Sequence, residues 1–426
     1  MTNELSAARG PRVRRADTWV AADASRRLVG DRPMIYLPWR QEGTAMEITD
    51  VRAELARPER SVGIESAVKR VEQSTCVIVT IEASDGSRGV GEIPDIENPE
   101  DMPSTAEIEA EMARFLLGRD PRRVHLLAEE MGEVVDFGPD EFHSFQQLAL
   151  GAIDMALYDL VGHRYDVPAY QLLGGRTRDV PICWVVFTRR GDDRFEKLRE
   201  EVRTRVEQGF EAFKLKVGEA GVDVDRRRIE AVREIAGEDA TVLIDAQGVW
   251  DLDQAVETIE ELAPAGVDGV ETPVGHPDAS VDAPGYYYDV PLLPEELREV
   301  REAVDVPILE HVLDPAFGLA LAQNQAVDVF TVEAPSGGIT RAQRALQIAE
   351  AADIDARLGS TVELEPGTMA GAALAAASPA VTYPCDLIGP LVYEDSVVER
   401  SLPYEDGHLR LSERPGFGID LQERYR

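Results

Sequence analysis

The stretch 212-AFKLKVGEAGVDVDRRRIEAVREIAGEDATVLIDAQG-248 decides how the chain is read. It opens on a short apolar run that carries two lysines, Ala212–Lys216. It continues through an amphipathic segment, Asp225–Ile235, with apolar residues three and four apart. It ends on a second apolar run, Thr241–Ile244, capped by Asp245. Strand, helix and strand in that order form the unit that places two strands parallel with a helix across them.

The same alternation extends in both directions. Further strands are expected at Ile182–Phe187, Gly269–Thr272, Pro307–Leu309, Val327–Val332 and Ala356–Gly359, with a last short one near Val381. Leu252–Leu262 and Thr340–Ala351 are among the intervening helices. Eight such units over residues 166–390 predict an α/β fold, a closed (β/α)8 barrel. An open doubly wound sheet is the alternative, weakened because no Gly-rich phosphate loop follows the first strand.

Residues 46–165 have a different texture. "MEITDVRAELA" (46–56), "STCVIVTIEAS" (74–84) and "SRGVGEI" (87–93) read as three strands, the last two joined by an Asp85-Gly86 turn. Helical patterns follow Ser104 and Pro121, and a third runs from Ser144 to His163. This predicts an N-terminal α+β capping domain. Residues 1–45 lack periodicity and read as an extension, and 391–426 are expected to return to the cap.

The net charge is −36, from 44 basic and 80 acidic residues. It argues against nucleic acid and anionic membranes as partners. No apolar run is long enough to span a bilayer. The basic N-terminus has no apolar stretch behind it, so a cytoplasmic protein is expected. Only four basic residues are lysine (Lys69, Lys197, Lys214, Lys216); the other 40 are arginine. An acidic, lysine-poor chain suggests adaptation to high salt, where counterions screen self-repulsion. Cys76, Cys183 and Cys385 lie too far apart for a zinc spacing and read as small core residues.

Half of those four lysines stand two apart on one predicted strand. Residues i and i+2 share a face, and at the C-terminal end of a barrel strand that face is the site. Two adjacent ammonium groups depress each other's pKa, which suits one of them to act as a general base. Arginine cannot give up its proton, so chemistry explains why Lys214 and Lys216 are lysine. Asp245, Glu271 and Glu310 each follow an apolar strand. Three carboxylates at one barrel mouth repel each other unless a cation sits between them, and hard oxygen donors suit Mg²⁺. Arg189 and Arg190 are candidates for an anionic substrate group, Asp386 for a further substrate contact, and His311 for a general acid. His276 and Tyr286, Tyr287 and Tyr288 lie on a long loop that could cover the site. His125, His143, His163 and His408 are assigned no chemistry.

The order Lys-x-Lys, then acids on later strands, resembles the enolase superfamily in its mandelate racemase and muconate-lactonizing branches. "GVGEI" (89–93), "ALGAIDMALYDLVGHRYDVPAYQLLGG" (149–175), "IDAQGVWDLDQAV" (244–256), "SGGITRAQRALQIAEAADI" (336–354) and "VTYPCDLIGPLVYEDSVV" (381–398) are similar to the family's motifs. The resemblance implies that Asp245, Glu271 and Glu310 hold a Mg²⁺ that binds a substrate carboxylate. Lys216 then removes the α-proton, Lys214 tunes it or touches the carboxylate, and the metal stabilises the enediolate. It also implies a small carboxylate substrate and a homo-oligomer.

The chain departs from the family in places. Gln247, a further candidate for substrate contact, stands where the family has Asn. Counting back from Pro315 selects Glu310 as third ligand, whereas counting forward from Pro307 selects His311; the preference of Mg²⁺ for oxygen favours Glu310. The sixth strand has Glu333 where relatives have a second lysine, and the seventh strand has no histidine. A one-base reaction is therefore expected, an isomerisation or cycloisomerisation of muconate-lactonizing type. Sugar-acid dehydration is the alternative, and a catalytically silent barrel with a binding or assembly role is the alternative of another class.

Overall fold

The protein is described as a computed structural model. The described residues are 46–65, 70–96, 99–140, 143–176, 179–189, 191–275, 294–312 and 314–426. Arg190, His276 and Tyr286–Tyr288 lie outside them, as do residues 1–45.

The capping part begins with β1 (Ile48–Ala56), a hairpin of β2 (Glu59–Glu65) and β3 (Arg70–Gln73), then β4 (Cys76–Ala83) and β5 (Arg88–Ile93). β4 lies between β1 and β5, antiparallel to both. Three helices follow, α1 (Thr105–Leu116), α2 (Val124–Val134) and α3 (Phe145–Tyr165). Ser104 caps α1 through a reciprocal pair with Glu107, and Ser144 caps α3 by accepting from Gln147 N. Each such cap contributes about 1 kcal/mol.

α3 is buried on every side from Gln146 to Gly162, because it is wedged between β5 and the barrel. Two glycines of the "GVGEI" strand permit this. A Cβ on Gly91 would lie 1.9 Å from the Ala152 carbonyl oxygen, and one on Gly89 would lie 2.1 Å from that of Ala156. The opposite flank of α3 is as close: a Cβ on Gly151 would lie 2.0 Å from the Pro335 carbonyl oxygen. Asp154 of the same helix accepts from Thr340 N and Thr340 Oγ1, each at 2.8 Å. The cap is thereby fixed to the chain that leaves the barrel's sixth strand.

After the short α4 (Ala169–Leu172) and β6 (Val180–Pro181), the barrel strands follow: β7 (Cys183–Val186), β8 (Ala212–Lys216), β9 (Thr241–Asp245), β10 (Gly269–Glu271), β11 (Ile308–His311), β12 (Val329–Val332) and β13 (Asp355–Leu358). They form one sheet in sequential order, each pair parallel. Helices α5 (Arg194–Glu207), α6 (Val222–Ala236), α7 (Leu252–Leu262), α8 (Pro294–Ala303), α9 (Pro315–Asn324), α10 (Ile339–Ala352) and α11 (Glu365–Ala377) separate them. The eighth strand is reduced to single bridges, Ala356 to Val381 on one side and Ile182 to Cys385 on the other. Cys183 N donates to Cys385 O at 2.8 Å and Asp386 N to Leu358 O at 2.9 Å. Those bonds close the ring. α12 (Gly389–Val392), β14 (Tyr404–Glu405) and β15 (His408–Leu409) complete the chain, and β15 pairs with β6. Residue Glu394 donates its N–H to Glu59 O, and Phe417 donates its own to Asp159 on α3, so the last residues run back along the cap. All three cysteines are buried free thiols.

Candidate active site

A small cluster of Cys183, Ala212, Leu243, Leu309 and Val329, separate from the main core, fills the inside of the ring. It identifies the inward face of each strand. Two residues further on stand Lys214, Asp245, His311 and Thr331, and Glu271 aligns with Asp245 in the sheet register. With a side-chain period of two, all of these point into the mouth at the C-terminal end of the strands.

There they form a chain of alternating charge across the opening. Lys216 Nζ lies 2.5 Å from Asp245 Oδ2. Lys214 Nζ lies 3.5 Å from the same oxygen, 2.7 Å from Glu271 Oε1 and 2.5 Å from Asp386 Oδ2. His311 Nε2 lies 3.1 Å from Glu271 Oε1, and its Nδ1 lies 3.4 Å from Glu333 Oε1. Glu333 is met in turn by His143 Nε2 at 2.6 Å and Ser336 Oγ at 2.8 Å. His143 precedes α3, so the chain runs from the barrel into the cap. Arg357, on the inward face of β13, bonds Glu271 Oε2 at 2.7 Å and also Asp386.

The mouth thus brings together Lys214, Lys216, Asp245, Glu271, His311 and Asp386 of the residues expected from sequence. It leaves others out. Glu310 faces the opposite side of β11. Its register partner is Phe330, which packs beside Gly318 of α9. Its Oε1 accepts from Thr272 Oγ1 at 2.9 Å and His311 N at 2.8 Å, while its Oε2 is buried with no partner among the described residues. Counting forward from Pro307 therefore finds the inward residue, His311, and counting back from Pro315 does not. Arg189 turns to Glu201 of α5, 3.1 Å away. Gln247 contributes its backbone N–H, which donates to Asp245 Oδ1 at 2.9 Å. Arg357 and His143 were not among the site residues expected from sequence. An arginine inside the apolar run of β13, at an inward position by strand alternation, is the cue that identifies the first.

Electrostatics follow from this pairing. Burial works against the charge on Lys214, but Asp386, Glu271 and Asp245 outweigh it and raise its pKa, the reverse of the depression expected of it. Burial also opposes ionisation of Glu271, yet Lys214, His311 and Arg357 hold it well below the usual carboxylate range. Glu333 is desolvated as well, and His143 and His311 bring it down to about 2. Against burial, Glu271 and Glu333 raise the His311 imidazole. Glu310, without a cation of its own, is pushed up by burial to about 8.

These residues do not fit Mg²⁺. The ion needs oxygen ligands at about 2.0–2.1 Å in an octahedron. Of the three expected ligands one points out of the barrel, and an imidazole occupies the inward position. A carboxylate offers roughly four lone-pair sites, and those of Glu271 are taken by Lys214, His311, Arg357 and Thr331. Among the described residues no group of three or more His, Cys, Asp or Glu side chains is arranged to hold a metal ion.

Two family models match the chain: "Mandelate racemase / muconate lactonizing enzyme, N-terminal domain" over residues 48–174, and "Enolase C-terminal domain-like" over 197–425. Muconate cycloisomerase 1-1 of Acinetobacter lwoffii is 30% identical over 82% of this chain and 87% of its own length. A hydrophobic dipeptide epimerase of Enterococcus faecalis is 30% identical over 88% and 99%. Among solved structures, 2-chloromuconate cycloisomerase from Rhodococcus opacus 1CP superposes with a TM-score of 0.76 at 27% identity, covering 89% of this chain and 98% of that one. The Enterococcus faecalis V583 dipeptide epimerase, complexed with Mg and L-Leu-L-Tyr, gives 0.74 at 28% identity, covering 88% and 99%.

Proposed function

The chain belongs to the mandelate racemase and muconate-lactonizing branch of the enolase superfamily, a family of enzymes, and from that premise we propose that it is an isomerase moving a proton at the carbon next to the carboxylate of a small substrate. Lys216 takes the proton and His311 supplies one. A single observation carries this assignment. Lys216 and His311 keep 16% and 11% of their side chains exposed, while Lys214, Asp245, Glu271, Glu333, Arg357 and Asp386 keep 4% or less. The buried six are held inside the network, whereas Lys216 and His311, the least buried of its members on the barrel strands, meet the substrate.

Lys216 and His311 stand three strands apart round the ring, so they reach a bound carbon from different sides. The one-base expectation rested on the absence of lysine from the sixth strand and of histidine from the seventh. The fifth strand supplies the second group instead. Against burial, Glu271 and Glu333 on either side raise the His311 pKa, which favours the imidazolium required of a proton donor. Lys216 accepts a proton only as the free amine, so substrate binding must draw its own proton away towards Asp245 or solvent. A 1,1-proton transfer and a cycloisomerisation both begin with these two groups.

The experiment is exchange in D₂O with N-acyl amino acids, dipeptides and unsaturated lactones, using the full chain and its Lys216→Ala and His311→Gln variants. We expect deuterium at the α-carbon of one substrate class, with loss of about 10²-fold or more in Lys216→Ala. His311→Gln should retain exchange while losing inversion or ring closure. Equal exchange by wild type and Lys216→Ala would remove Lys216 from the mechanism.

A further inference from the structure

Three carboxylates, Asp245, Glu271 and Asp386, converge within 3.5 Å of the Lys214 ammonium. Such a cluster is strongly repulsive in a desolvated site unless a cation lies inside it. We propose that the chain supplies that cation covalently: Arg357, with Lys214, takes the charge-neutralising place of a divalent ion, and the folded protein holds these acids together without binding Mg²⁺ there. The proposal rests on reading this mouth as the site of proton transfer. Its test reads metal binding rather than turnover, so the two readings fail separately.

The geometry of Arg357 carries the argument. Its guanidinium is fully buried and spans two carboxylates, Nη1 to Glu271 and Nη2 to Asp386, while Nε donates to Pro384 O at 3.0 Å. The planar fork suits bridging of this kind, and it cannot shed its charge by deprotonation. Lys214 fills the remaining space as a compact point charge. Between them they occupy oxygens of Glu271 and Asp386 that a metal would need. Glu271 is further met by Thr331 Oγ1 at 3.2 Å and by His311. His311 itself stands at the inward fifth-strand position with Glu333 on its other nitrogen, so the imidazole is tied into the same charge network. Four carboxylates, Asp245, Glu271, Asp386 and Glu333, thus meet Lys214, Lys216, Arg357 and His311.

A metal ion dissociates, and its charge goes with it. The guanidinium charge cannot leave, so chelation should not touch this site. A developing negative charge on substrate then meets Lys216 and His311, the least buried members of the network on the barrel strands.

The test is a titration of the full chain, stripped with chelator and held in concentrated KCl, with Mn²⁺ followed by the electron paramagnetic resonance of the free ion. Asp245→Asn reports uptake at the mouth as distinct from the acidic surface. We expect the wild type to leave the Mn²⁺ signal as Asp245→Asn leaves it, and its melting temperature to be the same in EDTA and MgCl₂. Arg357→Met, which frees Glu271 and Asp386, should gain one Mn²⁺ per chain and recover stability when it binds. Uptake of one Mn²⁺ per wild-type chain, lost in Asp245→Asn, overturns the proposal. So does a folded Arg357→Met that still ignores Mn²⁺. Should that variant not fold, the wild-type titration decides alone.

Discussion

Glu310 and His311 are neighbours in sequence and face opposite sides of one strand. That parity sets their fates: the histidine joins two carboxylates at the mouth, and the glutamate is buried on the other side with one oxygen unpartnered among the described residues. Burial holds Glu310 at about 8, above the usual carboxylate value. The folded state therefore keeps a proton that the unfolded chain has lost, and stability falls as pH rises from the ordinary carboxylate range through about 8. Glu310→Gln mimics the protonated form. We expect it to match wild type near pH 4 and to exceed it at pH 8, by on the order of a few kcal/mol, in urea unfolding followed by circular dichroism. Parallel pH profiles for the two proteins would refute the assignment. The parity was also what the sequence could have told. Lys214, Lys216, Asp245 and Glu271 were legible because strand end and residue type agree. Glu310 was chosen on ligand chemistry, against the period of the strand. Arg357 went unread because the expected seventh-strand group was a histidine, and an arginine inside an apolar run has no local partner in sequence; Glu271 lies 86 residues away.

At the scale of elements, the contact between α3 and β5 leaves no room for a side chain. Gly91→Ala drives a methyl against the Ala152 carbonyl. Neither backbone can yield without moving the cap, so we expect a loss at the upper end of the roughly 1–3 kcal/mol typical of overpacking, or beyond it. Gly132→Ala is the control: it lies within α2, and a Cβ there meets nothing within 4 Å. It should stabilise by about 0.5–1 kcal/mol. Chemical denaturation of both variants checks this, and a harmless Gly91→Ala would mean that the helix is not wedged. Barrel strands β7 to β13 were legible to within a residue or two, because each is a short apolar run between polar helices. The eighth was visible only as a weak signal near Val381, and it is held by isolated bridges rather than a ladder. Its residues serve the site, since Asp386 ends it.

Over the whole molecule, the charge of −36 is spread over a surface whose ion pairs are mostly exposed, such as Arg226 with Glu261 and Arg414 with Asp420. Pairs of that kind contribute little, about 0–1 kcal/mol each, and less as salt rises. Self-repulsion of the surplus acids is long-ranged, and the screening length falls from about 10 Å at about 0.1 M salt to about 3 Å at about 1 M. Net repulsion should therefore dominate, and the unfolding temperature should rise with KCl across that range in calorimetry. A flat or falling trend would show that the surface pairs outweigh the repulsion. The closure of the ring has a consequence for synthesis. Ile182 and Cys183 have no neighbour on their open side until Cys385 has been made, and Lys214 and Arg357 lack Asp386 until the same moment. A nascent chain on the ribosome accordingly carries two bare strand edges and a charge network short of one acid until Cys385 and Asp386 have emerged. Such edges invite pairing with other chains, so the segment around Cys385 and Asp386 protects strands made long before it.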